Sequence, residues 1–205
     1  NRGIGSFGDA SMFSFHATKV YNSIEGGCVC FKDQELGLDL YRLKNFGIRN
    51  EEVVDSVGAN AKMNEFQAAM GICNLRHVEE EIEKRKRIVS CYRECLKDIR
   101  GIRFMKEQEN VKSNYAYFPI LIEKSEFGIS RDCVYDLLKE KGIYTRKYFY
   151  PLTNSFACYK DQYDVKETPV ALDVSKKVLT LPLYADLALE DVYRICDNIK
   201  ALGGK

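Results

Sequence analysis

No apolar run in this sequence approaches the ~20 residues that a membrane-spanning helix needs, and the start carries no basic n-region followed by an apolar h-region. An excess of charge of one sign is also missing. Lys and Arg total 31 against 30 for Asp and Glu, a net charge of +1. A dedicated nucleic-acid binder would carry a basic excess on one face, so neither nucleic acid nor membrane is an expected partner. The eight cysteines include no Cys-x-x-Cys pair, so zinc-ligand spacing is absent and no metal site is expected. Cys28 and Cys30 alternate in a strand-like run, Cys73, Cys91, Cys95, Cys133 and Cys196 fall in helical patterns, and Cys158 falls in a loop. They read as reduced thiols, mostly core fillers, in a reducing compartment, and the expected location is cytoplasmic. Neither an internal repeat nor a low-complexity tract interrupts the chain.

What is present is 205 residues, 45% of them hydrophobic, enough for a packed core and for one domain or one and a half small ones. Residues 1–34 read as glycine-punctuated extended structure, with Ser11–Phe15 alternating and Gly27–Phe31 a short β run. Residues 35–63 are polar with mixed periodicity and read as irregular. From Asn64, a capping box with Gln67 opens a run whose apolar residues recur at helical steps. The spacing predicts one long helix near 64–97, kinked at Gly71.

Beyond it the pattern alternates. Asn114–Ile122 reads as a strand whose Pro119 suggests an edge or a bulge. Ser130 caps a helix over 131–141, and Gly142 fits its C′ position. Ile143–Tyr150 reads as a second strand, followed by a helix near 169–176, a strand near 178–181 and a last helix near 189–201. Strands alternating with helices predict a small α/β domain over about 105–205.

Two segments carry candidate chemistry. Gly3-Ile4-Gly5-Ser6-Phe7-Gly8 matches G-x-G-x-x-G, but a dinucleotide fingerprint needs a strand before it and a helix opening within it, and the chain turns strand-like here instead. In Ser14-Phe15-His16-Ala17-Thr18-Lys19 a hydroxyl stands five residues before an amine, in a tight segment between two β runs. Such a hydroxyl can hydrogen-bond a phosphate oxygen, and such an amine can form a Schiff base with an aldehyde cofactor. Taken alone, Lys19 reads as an ordinary surface lysine, and His16 as a hydrogen-bonded core or loop histidine.

Ser14–Lys19, followed by Glu25-Gly26-Gly27, resembles the cofactor-lysine segment of the DegT/DnrJ/EryC1/StrS family, pyridoxal-phosphate-dependent sugar aminotransferases of fold type I. Further motifs agree in the family's order. Gly58-Ala59-Asn60-Ala61-Lys62-Met63-Asn64-Glu65-Phe66-Gln67-Ala68-Ala69 is similar to G-x-N-x-R-M-x-E-x-Q-A-A, with Lys62 where Arg is usual. Arg85-Lys86-Arg87 with Tyr92 and Leu96 resembles the family's connecting helix. Thr145-Arg146-Lys147-Tyr148-Phe149-Tyr150-Pro151 resembles its substrate-side strand, and Thr180-Leu181-Pro182-Leu183 its penultimate core strand.

The resemblance implies an α/β fold corresponding to the C-terminal portion of a fold type I transferase. Residues 1–63 would end the large cofactor-binding domain, 64–104 would form the connecting helix, and 105–205 the small domain. It implies pyridoxal 5′-phosphate as cofactor, with Lys19 carrying it as a Schiff base, Ser14 binding its phosphate, and Asn60 reaching across a homodimer interface to the partner's phosphate. Arg146 and Tyr148 would line the nucleotide-sugar pocket. Lysine at position 19 argues for amino transfer, because relatives that dehydrate sugars have histidine there. The implied reaction moves an amino group from an amino acid, glutamate in most relatives, to a keto-sugar nucleotide. The aromatic run 148–150 is most similar to members acting on thymidine-diphosphate 4-keto-6-deoxy or 3-keto-6-deoxy sugars, with the 4-keto substrate favoured. Cell-surface polysaccharide or spore-coat glycan synthesis is the implied pathway.

The family's acid for the pyridinium nitrogen, its ring-stacking aromatic and its upstream phosphate turn all precede the lysine segment. A chain opening on Asn1-Arg2-Gly3 is therefore expected to be a C-terminal half, inactive by itself and prone to self-association at a cut sheet edge. The alternative is a non-catalytic interaction domain that inherited the motifs.

Overall fold

A computed structural model describes residues 2–159 and 161–203. The chain divides into two compact units, Asn1–Glu79 and Glu80–Lys205. In the first, a 3-10 turn over Ile4–Ser6 runs into strand β1, Ala10–Ser14, which pairs antiparallel with β2, Gly27–Phe31, in the register Ala10 to Phe31 and Ser14 to Gly27. The glycine-rich opening thus leads straight into a hairpin strand, not into the helix that dinucleotide binding requires.

Helix α1, Gln34–Lys44, follows, capped by Asp33, whose side chain accepts from the Glu35 N–H at 2.9 Å. It occupies part of the stretch expected to be irregular. The Asp33 cap and acidic Glu35 give the helix start that the weak apolar periodicity concealed. Helix α2, Glu65–Leu75, opens on the expected capping box, with Asn64 and Gln67 bonded reciprocally. It stops at Arg76-His77, and α3, Val78–Leu96, begins after that turn. The single kinked helix is therefore two helices, and the break lies beyond Gly71. Gly71 is buried instead, its carbonyl accepting from the Tyr21 hydroxyl at 3.3 Å.

In the second unit, β3 (Ile102–Phe104), β4 (Phe118–Ile122) and β5 (Val178–Leu181) form one antiparallel sheet with β4 in the middle. Between them come α4 (Lys124–Phe127), α5 (Arg131–Glu140) and α6 (Pro169–Lys177), and α7 (Leu189–Leu202) closes the chain. Pro119 therefore sits in a central strand, not at an edge. The position tolerates it because its partner Thr180 turns its backbone the other way, exchanging both hydrogen bonds with Arg146 at 3.0 and 2.7 Å, while the ladder to β3 ends at Ile120.

Residues 143–150 do not form the expected strand. Only Arg146 bridges to Thr180, and the aromatics after it leave the sheet. Ser130 caps α5 through the Cys133 N–H as expected, and Gly142 takes the left-handed φ of +70° that ends it.

The core belongs to this unit. Ile88, Val89, Tyr92 and Leu96 of α3 and Val192, Ile195, Cys196 and Ile199 of α7 recur at helical spacing and pack with Ile120, Ile122, Leu179 and Leu181 of the sheet. Tyr92 is fully buried, and its hydroxyl donates to the Pro182 carbonyl at 3.0 Å. By contrast, no hydrophobic side chain among the described residues of 1–79 is buried, and Met12 and Phe66 are 85% and 86% exposed. All eight cysteines are free thiols, but only Cys196 fills the core, with Cys91 and Cys95 partly buried against it. The other five are exposed, Cys28 and Cys30 on a strand exposed along its whole length and Cys158 in a turn. Among the described residues, no helix is long and apolar enough to cross a membrane.

Candidate active site

Ser14 ends β1, and the chain makes a tight excursion before β2 begins at Gly27. The excursion is closed by backbone bonds from Phe15 N–H to the Gly26 carbonyl at 2.8 Å and from Ser23 N–H to the Phe15 carbonyl at 2.9 Å. Such closeness requires the two glycines. A Cβ on Gly27 would lie 2.6 Å from the Phe13 oxygen, and Gly26 has φ +142° with Ser23 and Met63 side chains already against it.

Within the excursion, the Ser14 Oγ accepts from the His16 N–H at 3.3 Å, and the His16 carbonyl accepts from the Lys19 N–H at 2.9 Å. One turn thus carries the serine hydroxyl and the half-buried lysine together. His16 is spoken for. Its Nδ1 accepts from the Thr18 N–H at 3.3 Å and lies 2.9 Å from the Thr18 Oγ1, and its Nε2 is 3.5 Å from a Glu25 carboxylate oxygen. Acceptance at Nδ1 places the ring proton on Nε2, facing Glu25, so His16 ties the two ends of the excursion together as a loop histidine.

Helix α2 braces this segment from the other side. The Tyr21 hydroxyl bonds Gly71, the Asn74 side-chain amide donates to the Asn22 carbonyl at 3.0 Å, and Asn22 in turn donates to the Lys19 carbonyl at 3.3 Å. The carbonyl of Lys19 is therefore anchored through Asn22 to α2. The sequence reading did not single out these supports. The short polar spacing Lys19–Asn22 inside the motif was the available signal.

An open, mainly apolar cleft of about 1020 Å³ lies beside β1, β2 and α1, lined among others by Ser14, Gly27, Val29, Leu40 and Ala61. Asn60 itself is exposed, bridged to Asn45, and its side-chain oxygen accepts from Lys62 Nζ at 3.1 Å. The lysine that stands where arginine is usual is thus in direct contact with the candidate phosphate ligand, and it also lies 4.3 Å from the centroid of the Phe46 ring.

Arg146 and Tyr148 belong to the second unit. The Arg146 guanidinium carbon is 5.9 Å from the Tyr148 ring centroid. Tyr148 stacks on Phe149 at 4.9 Å and meets Tyr117 edge-on at 5.7 Å. The two expected residues are thus brought to one partly exposed aromatic patch.

The donor set of the first unit fits an aldehyde that carries a phosphate. Ser14 uses one lone pair on His16 and keeps its own proton to donate to an anionic oxygen. Lys19 supplies a primary amine on a turn fixed at its N–H and its carbonyl.

Known proteins are similar to this chain over nearly all of its length. A dTDP-4-amino-4,6-dideoxy-D-glucose transaminase of Shigella dysenteriae is 38% identical over 195 residues, covering 95% of this chain and 53% of the relative. One of the same description from Escherichia coli is 45% identical over 175 residues, covering 84% and 47%. Among solved structures, DesI in the presence of its TDP-sugar product superposes with a TM-score of 0.89 at 35% identity, over 98% of this chain and 51% of that one. The chain thus spans about half the length of the relatives it matches. The model of the DegT/DnrJ/EryC1/StrS aminotransferase family matches residues 1–200, and the chain belongs to that family.

Proposed function

We propose that the protein carrying this chain is a pyridoxal-phosphate-dependent aminotransferase. It moves an amino group from an amino acid, glutamate by preference, to a keto-deoxy sugar nucleotide, dTDP-4-keto-6-deoxyglucose by preference. The observation that carries the reading is the Ser14–Lys19 turn, which holds a hydroxyl and an amine on one braced loop within a family-matched segment. The sugar-nucleotide preference rests on the relatives' descriptions. The reading fits a cytoplasmic step of cell-surface polysaccharide synthesis.

Lys19 Nζ would hold the cofactor through its aldehyde carbon, and Ser14 Oγ would donate to its phosphate. When bound, the cofactor supplies the electron sink for breaking the bond to hydrogen at the donor's α-carbon. Lys19 Nζ would be the group that takes that proton and returns it. Asn60 would complete the phosphate site of the second subunit of a homodimer. Its exposure supports this reading, as does the absence of any buried hydrophobic side chain among the described residues of 1–79. Arg146 and Tyr148 would receive the nucleotide sugar through charge and ring contact.

The test is borohydride reduction of the full-length protein in the presence of pyridoxal phosphate, followed by peptide mapping. The expected result is one stable label at Lys19, lost together with turnover in Lys19→Ala. Label scattered over surface lysines, or normal turnover in that variant, would overturn the assignment.

A further inference from the structure

The substrate-side segment 145–151 lacks strand pairing beyond Arg146, yet it is pinned at several points by the start of α5. Arg131, the first residue of that helix, is 2% exposed. A buried guanidinium must spend its donors. Arg131 does so through Nη1 to the Val178 carbonyl at 2.6 Å and through Nε to Asp132 Oδ1 at 3.0 Å, and its guanidinium carbon lies 5.1 Å from the Tyr150 ring centroid. The same Asp132 oxygen also receives Lys147 Nζ in an ion pair, and Lys147 Nζ lies 4.5 Å from the Tyr135 ring centroid.

The segment is therefore held to β5 at Arg146, to Asp132 and Tyr135 at Lys147, and to Arg131 at Tyr150. Between the last two pins lie Tyr148 and Phe149, stacked on each other, with Phe149 68% exposed. An irregular segment tied on both sides of an exposed aromatic pair presents that pair in one orientation.

We propose that Asp132 and Arg131 are positioning residues for sugar-nucleotide recognition, Asp132 holding Lys147 and Arg131 holding Tyr150, so that Arg146, Tyr148 and Phe149 form a fixed face for the nucleoside diphosphate. This rests on the reading that Arg146 and Tyr148 meet the substrate. Asp132 acts through its neighbours and touches no reacting atom.

The experiment is calorimetric titration of the full-length, cofactor-loaded protein with thymidine diphosphate, for Asp132→Asn, Lys147→Ala, their double variant, and Arg146→Ala and Tyr148→Ala. An exposed ion pair predicts a loss of about twofold in affinity for each single clamp variant. The double variant should lose no more than either single, because the two share one interaction. In steady state, KM for the sugar nucleotide should rise with kcat retained, a split that general destabilisation would not produce. Unchanged affinity in Asp132→Asn alongside a large loss in Arg146→Ala and Tyr148→Ala would overturn the positioning role and leave the substrate face standing. Unchanged affinity in all variants would remove the substrate face and the positioning role with it.

Discussion

Lys62 Nζ donates to Asn60 Oδ1 at 3.1 Å while lying 4.3 Å from the centroid of the Phe46 ring. The lysine therefore fixes the asparagine's carbonyl end and leaves its amide N–H groups to donate, the polarity a phosphate oxygen requires. Lys62→Ala is expected to weaken pyridoxal-phosphate binding by about fivefold, the scale of one exposed charge-assisted hydrogen bond. Lys62→Arg should retain affinity, and Asn60→Ala should lose more than Lys62→Ala. Absorbance titration of the full-length apoprotein with the cofactor measures all three. Equal affinity in Lys62→Ala and the parent would show that Asn60 needs no orienting partner.

The loop that carries Asn60 depends on two glycines facing each other. Residues 59–61 run against α1's end, with Ala59 N–H bonded to the Leu43 carbonyl at 2.7 Å and Ala61 N–H to the Lys44 carbonyl at 2.9 Å. A Cβ on Gly58 would lie 2.4 Å from the Gly47 nitrogen and 2.5 Å from the Arg42 oxygen. Gly47 has φ +74°, and a Cβ there would lie 1.7 Å from the Ser56 oxygen. All the clashing atoms are backbone, so relief requires moving the loop itself. Gly58→Ala is expected to cost about 2–3 kcal/mol and Gly47→Ala somewhat more. Thermal melts followed by circular dichroism test this, and a melting point unchanged in both variants would show that the loop yields freely.

Local turns and caps were more legible in the sequence than the path of the chain. Ser14 and Lys19 share one turn as their spacing implied, because short-range hydrogen bonding decides such a turn. The caps at Asn64 and Ser130 were readable for the same reason. The α2–α3 break was not, because Arg76 and His77 are acceptable helix residues, yet their N–H groups bond the Cys73 and Asn74 carbonyls three residues back and end the helix there. Residues 143–150 failed as a strand because aromatic and β-branched content signals a half-buried surface, which the α5 start provides here in place of a ladder. Asp132 was invisible for a related reason. Its partner Lys147 is fifteen positions away, a distance that no local pattern spans.

Thiol reactivity provides a separate check on the second unit. Cys196 is fully buried, and burial, followed by the neighbouring Cys95, pushes its thiol from 9.0 up to about 12. Three pH units lower the thiolate fraction about a thousandfold. Burial raises Cys91 as well, although the Tyr193 hydroxyl works against it. Cys133 and Cys158 are exposed. Within this unit, alkylation at pH 8 followed by mass spectrometry should label Cys133 and Cys158 first and reach Cys196 only in denaturant. Early labelling of Cys196 in the native protein would contradict the packing of α3 against α7.

The clamp on the aromatic segment also has a pH signature. The Lys147 hydrogen bond, with the Arg131 charge behind it, holds the Asp132 carboxyl below the ordinary aspartate value of 3.8. A carboxyl depressed in the folded state adds stability that is fully present above its unfolded value and is lost as pH falls through the folded one. Asp132→Asn should therefore melt below the parent at neutral pH and converge with it once pH drops well under 3.8. Asp132 is more than half exposed, so solvent screening limits the difference to about 0.5 kcal/mol. In a unit of this size that is a melting shift of about 2 °C. In about 1 M salt the screening length falls to about 3 Å, and the neutral-pH difference should shrink further. A difference that survived both acid and salt would mean that Asp132 contributes as an uncharged packing element and not as the clamp's anion.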